Sequence, residues 1–275
     1  MNPEMEAGLK AILGPEMAQI IIDTQAIAGY ELPIETQKGF LFFHEFVTDP
    51  VPGYIAKWRA SPTTEHWYHR HVNGILGDVH SAVRRVFYHR GRMMEIEDTL
   101  LQAIESVDYK SRLGNAVFAL GNTPKWDFEY QAFVLATRSA LDYLRRALSA
   151  YFHDKSHSYN SWPKALRHPK APALARALLE TYEAQQDGLF YLKQNLSGVA
   201  RRDQIAHHGH VSPATINLTA KGLVLVGGGE DLAFNREIPI QSLRGIINGR
   251  ADYLVSTIEA FLATFITEVR KIESQ

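Results

Sequence analysis

The sequence contains no cysteine. That excludes disulfides, thiolate-ligated zinc, iron–sulfur clusters and a thiol nucleophile. It also lacks an excess of either charge: 29 Lys and Arg stand against 30 Asp and Glu, a formal net charge of -1. A strongly polycationic nucleic-acid binder of the histone type is therefore excluded, while a local basic site is not. Long hydrophobic runs are missing too. The densest apolar stretches, 40–43 and 223–226, fall far short of the ~20 residues that span a bilayer. The N-terminus carries Glu4 and Glu6 where a signal peptide carries bases, so no membrane partner and a cytoplasmic location are expected. Without a secretion signal, the glycosylation-like triplets at Asn195 and Asn217 carry no weight.

Several signature motifs are absent as well. His44-Glu45 has no second His at the spacing of a zinc protease. There is no Walker loop, no dinucleotide-binding glycine fingerprint and no Gly-x-Ser-x-Gly elbow. Gly227-Gly228-Gly229 follows a strand-like run but lacks the Lys and Ser/Thr of a phosphate loop. No cofactor is expected, and the chemistry falls to His, Arg, Asp, Glu, Ser and Tyr.

What is present is an ordinary globular composition, 45% apolar and 21% charged over 275 residues, which suits one large or two modest domains. Charge is uneven along the chain. Residues 1–50 hold two bases and eight acids, whereas 138–210 hold eleven bases and six acids. An acidic head thus offsets a basic middle.

Helical periodicity dominates. A short helix precedes Gly14, and a second runs from about Pro15 to Ala28, with Pro15 suited to a first turn. Residues 40–43 fit a strand or a helical turn equally well, and 49–53 read as a turn. A helical stripe covers 64–104 through Val72, Ile75, Val79, Val83, Val86, Phe87, Met94, Leu101 and Ile104, with Gly74, Gly77 and Gly91 marking a kink or break. Residues 114–125 read as a linker. Three amphipathic helices follow, over 127–152, 172–199 and 241–272, the last with the cleanest stripe: Ile247, Leu254, Ile258, Phe261, Phe265, Val269 and Ile272. Between the last two, a hairpin is predicted at about 214–227, turning at Lys221-Gly222. The expected architecture is mainly α. A helical N-terminal region over 1–112 accompanies an up-down bundle over 125–275 that carries the hairpin.

The segment richest in chemistry is Arg201-Arg202-Asp203-Gln204-Ile205-Ala206-His207-His208-Gly209-His210. Arg202 and His207 are five residues apart, about one and a half helical turns. They converge on a ligand only where a helix ends, and Gly209 and Pro213 place such an end just after His207. A guanidinium fork holds phosphate and offsets charge in a transition state. An imidazole titrates near neutrality and moves a proton to or from a ribose hydroxyl. The same residues also allow a plainer arrangement, in which Arg202 pairs with an acid, Asp203 caps a helix and the histidines face solvent.

The run from Arg202 through four residues to His207, together with the helix segment 133–144, resembles the HEPN superfamily over roughly residues 127–272. The resemblance implies a metal-independent endoribonuclease in which two protomers bring their motifs together at a dimer interface. It gives Arg202 the scissile phosphate, His207 a proton-transfer role and the products 2′,3′-cyclic phosphate ends. Asp203 fills a slot where the family often has Asn or His, and there it would orient Arg202 or His207. Arg201, His208 and His210 would support the site. Some branches of that superfamily serve only as binding or assembly modules, so a non-catalytic interaction protein is the alternative.

Further candidates surround this segment. Asp142 flanks the apolar stripe of its helix, although Arg138 and Arg146 at i−4 and i+4 suit plain ion pairs. Arg145, Arg146, Lys164, Arg167 and Lys170, with Tyr151, Tyr159 and Trp162 as stacking platforms, would make an RNA-binding surface or merely a solvated face. In a second patch, 66–71, His66 and His69 sit at i and i+3 and His80 follows. That spacing allows a metal site, but no carboxylate joins it at ligand spacing, so packing is the commoner reading.

Overall fold

A computed structural model describes residues 3–59, 64–105, 108, 112–116, 118–121, 123–154, 158–167, 172–189, 192, 215–220, 222–226 and 242–273. The chain divides into two compact units, 1–33 and 34–275. In the first, α1 (Pro3–Leu13) packs on α2 (Pro15–Ala28). Gly14 joins them with φ 80, a left-handed conformation that glycine adopts without a Cβ penalty, and Pro15 occupies the first turn of α2.

The second unit begins with α3 (Lys38–Thr48), α4 (Pro52–Arg59) and α5 (Thr64–Asn73). The ambiguous run at 40–43 is thus helical, and Phe40, Phe43 and Phe46 bury one face of it. The turn predicted over 49–53 stops at Val51, because Pro52 opens a helix. The stripe over 64–104 breaks where its first glycines stand. A π-helical segment, Gly74–Val79, separates α5 from α6 (His80–Glu105). A Cβ on Gly74 would lie 2.8 Å from the Cβ of Ala147, so this glycine permits a close helix approach. Gly91 interrupts nothing.

Helix α7 (Pro124–Ala150) packs most extensively on α6, and also on α5 and the π segment. Its Phe133, Ala136, Ala140, Leu144 and Leu148 are buried as the periodicity required. Because α6 and α7 share a core, the boundary expected between 112 and 125 separates no compact units. The region read as a linker contains β1 (Phe118–Leu120), which pairs antiparallel with β2 (Thr215–Thr219). β2 pairs in turn with β3 (Gly222–Val226), giving a three-stranded sheet in the order β1-β2-β3. Thr219 pairs with Gly222 across the hairpin, so Gly222, expected in the turn, already belongs to β3. Leu218 and Leu223 are cross-strand partners and both are buried.

After α7 the chain forms a 3-10 turn, Tyr159–Ser161, then α8 (Trp162–Leu166) and α9 (Ala173–Ala184). The helix expected to run to 199 ends at Ala184, followed by a 3-10 turn, Asp187–Leu189. A Cβ on Gly188 would lie 2.3 Å from the Tyr253 ring, an approach that only a glycine allows. Residues 190–191 and 193–199 of that expected helix lie outside the described residues.

Helix α10 (Leu243–Glu273) is the hub, packing against α3, α4, α6, α7 and α9 and against β3. Its stripe from Ile247 to Val269 is buried, whereas Ile272 at its end is exposed. Together these elements are a mainly helical bundle with a small antiparallel sheet, the fold class that the periodicity implied.

Candidate functional site

Arg201, Arg202, Asp203, His207, His208 and His210 lie outside the described residues. Asp142, Arg145, Arg146, Lys164 and Arg167 are described, and they differ in exposure and in partner.

Asp142 sits on α7 and accepts from Arg138, at 3.0 and 3.2 Å, and from the Tyr159 backbone N–H at 2.7 Å. Arg138 also donates to Asn160 Oδ1 at 2.7 Å and to Ser158 Oγ at 3.0 Å. The pair therefore pins the 158–160 turn to α7. Its i−4 half matches the plain ion-pair reading, but Arg146 turns elsewhere, to Asp78.

Arg145 and Arg146 are neighbours about 100° apart on a helix, and their environments differ completely. Arg145 is 0% exposed and pairs with Asp154 at 3.3 Å. Burial pushes its guanidinium below the usual value, while Asp154 and Asp142 oppose that shift. It is therefore not part of an exposed backbone-tracking surface, contrary to the expectation from sequence. Arg146 is partly exposed, and its guanidinium also lies 4.9 Å from the Tyr143 ring. Lys164 is exposed, and Arg167 pairs with Glu183 at 2.6 Å on the surface.

The expected stacking platforms are likewise corrected. Trp162 is buried and stacks on Phe261 at 5.1 Å, and Tyr159 is buried beside Tyr182 at 4.9 Å. Tyr151 packs edge-on against Phe265 at 5.1 Å. Tyr159 and Trp162 close the space between α7, α9 and α10 and offer no face to a ligand, while half-buried Tyr151 also packs against Tyr54 and Trp58. Lys170 lies outside the described residues.

The His-rich helix α5 splits by face. His71 is fully buried among Phe43, Tyr54, Trp58, Tyr151 and Phe265. Its Nδ1 lies 2.7 Å from the Ala147 carbonyl; since a carbonyl only accepts, Nδ1 carries the proton. His66 and His69 are exposed. Among the described residues no three His, Cys, Asp or Glu gather as a metal site. His80 is half-buried, edge-on to Phe40 at 4.9 Å, and its pKa is lowered first by burial and then by Arg84.

One arrangement escaped the sequence reading. The indole of Trp67 on α5 stacks on the imidazole of His153 just beyond α7, with centroids 5.2 Å apart and planes 16° apart. The Arg70 guanidinium lies 5.6 Å from the same indole. His153 is the one non-glycine residue with positive φ among those described, at 58°. The local cause is the way α7 ends: His153 N–H donates to the Ala150 carbonyl at 3.0 Å and Asp154 N–H to that of Ser149 at 3.1 Å. This is a Schellman cap, whose left-handed position usually holds glycine. The visible signal was the alternation of rings and bases in His66-Trp67-Tyr68-His69-Arg70. Its partner across the fold, His153, was not legible.

No protein-family model matches the chain, and no curated protein or solved structure matches it either. No described helix is long and apolar enough to cross a membrane.

Proposed function

We propose that this chain is an HEPN-like, metal-independent endoribonuclease that acts as a homodimer. The observation that carries the reading is the run Arg202-Asp203-Gln204-Ile205-Ala206-His207 in a mainly helical chain without cysteine. Support also comes from α7, whose buried stripe includes the segment 133–144 that resembles a bundle helix of that superfamily.

The chemistry follows from the groups available. The Arg202 fork binds the two non-bridging oxygens of the scissile phosphate and offsets the charge that builds there. His207 of one protomer accepts the proton of the ribose 2′-OH, whose oxygen forms a bond to phosphorus. The bond from phosphorus to the 5′-oxygen breaks, and the second protomer's copy of that histidine protonates the leaving oxygen. A 2′,3′-cyclic phosphate and a 5′-hydroxyl result, with no net redox change and no metal. Asp203 orients the neighbouring cation. Asp142, a supporting candidate, has both oxygens bonded, to Arg138 and to the Tyr159 N–H.

The test is cleavage of single-stranded RNA in EDTA by the wild type, Arg202→Ala and His207→Ala, with folding checked by circular dichroism. Losing the His207 acid or base, or the Arg202 charge at the transition state, each costs about a hundredfold or more in rate, so both variants should fall by at least that much. Equal signal from all three proteins would refute the ribonuclease and favour a non-catalytic interaction module. A requirement for added metal would refute it as well.

A further inference from the structure

We propose that the face made by Trp67, Arg70, Tyr143, Arg146 and His153 binds single-stranded RNA, with Trp67 and His153 as a base-stacking platform and the two arginines on phosphates. The inference rests on the RNA reading above and locates where the substrate is held.

The first argument is the price of His153. A non-glycine residue in the left-handed region costs about 1–2 kcal/mol, and glycine would relieve it at the cap of α7. The imidazole at that position lies flat against Trp67 and is exposed to solvent. A ring held in a strained position at the surface, parallel to an indole, is built for a flat ligand rather than for the core.

The second argument is charge. Arg70 has its pKa pushed down first by burial and next by Arg146, so the two cations are close enough to repel, while Asp154 acts in the opposite direction. A phosphate beside both relieves that repulsion. Asp154 is paired with Arg145 and Asp78 with Arg146, so a phosphate at Arg146 takes the place of a partly exposed carboxylate. Exposed His66 and His69 add polar groups along the same helix.

The third is ligand chemistry. Rings interleaved with guanidiniums, here Trp67 with Arg70 and Tyr143 with Arg146, match how unpaired bases and their backbone are gripped together. A duplex hides its base faces and so fits this surface poorly.

The measurement is fluorescence anisotropy of the full-length protein in EDTA with a short labelled single-stranded RNA bearing 2′-O-methyl groups, which blocks cleavage. Base–aromatic stacking predicts that Trp67→Ala weakens binding about tenfold or more and that Trp67→Phe largely restores it. Arg70→Gln and Arg146→Gln should each lower the slope of log affinity against log salt by roughly one. His153→Gly separates a binding role from a structural one, since it should weaken RNA binding without lowering the melting temperature. Wild-type affinity in Trp67→Ala and Arg70→Gln would overturn the proposal. So would equal competition by the corresponding duplex. Binding that follows this pattern in a protein that never cleaves RNA would remove the ribonuclease and keep the face. Cleavage that depends on His207, with binding indifferent to Trp67, would do the reverse.

Discussion

Residues 64–73 and 143–167 are both rich in rings and bases, yet the first keeps Trp67 and Arg70 at its surface while the second folds Tyr159, Trp162 and Arg145 inward. The difference lies in what each stretch must cover. The turn after α7 has to seal the space between α7, α9 and α10, and only large side chains fill it. Helix α5 needs one buried face, which His71 supplies against Phe265 and Trp58. Its other face is left to solvent. Composition alone does not tell a binding surface from a plug; the neighbouring helices do.

Substitutions that treat the two stretches oppositely sharpen this contrast. The largest effect belongs to the buried stretch. Trp162→Ala should cost about 4 kcal/mol in chemical denaturation, from lost burial and the cavity left beside Phe261. A nearly unchanged midpoint would mean that Trp162 is a surface platform after all. Arg145→Ala comes next, at about 3 kcal/mol, because it empties a fully buried site and removes the pair with half-exposed Asp154. By contrast, Arg146→Ala should cost under about 1 kcal/mol, since its pair with Asp78 is solvated. Equal losses at 145 and 146 would erase the distinction between the two positions.

The smallest effect concerns acid. His80 has a lowered pKa in the fold, so below its unfolded value of 6.5 the unfolded chain binds a proton that the folded one resists. Its contribution to stability is thus full above that pH and declines as pH falls further. His80→Phe keeps the ring beside Phe40 and removes the proton site. It should flatten the drop in melting temperature between neutral and mildly acidic pH. An unchanged slope would place the acid sensitivity elsewhere.

Legibility tracked how local each cause was. The stripe of α10, Pro15 at the start of α2 and the hairpin strands are local patterns, and they read directly from the sequence. The glycine break between α5 and α6 is local too. β1 is only three residues long and exists because β2 pairs with it, so nothing in its own sequence announces it. The turn beyond α9 places Gly188 against Tyr253, 65 positions away in sequence, which the local pattern does not announce. Arg145 and Arg146 were indistinguishable as letters and differ only by helical phase. On the site, the Arg202/His207 chemistry is a sequence reading, whereas the platform of Trp67 and His153 joins two stretches that only the fold brings together.

In the proposed reaction, attack by a ribose 2′-OH on the adjacent phosphate is driven by Arg202 and His207. This step is tested most directly by mapping cleavage of one RNA in EDTA and repeating the assay with a single 2′-deoxy nucleotide at the mapped site. The cut should vanish at that site, and the unmodified product should carry a 2′,3′-cyclic phosphate made only when His207 is intact. Cleavage that persists at the 2′-deoxy position, or a 5′-phosphate on the downstream product, would contradict that reaction.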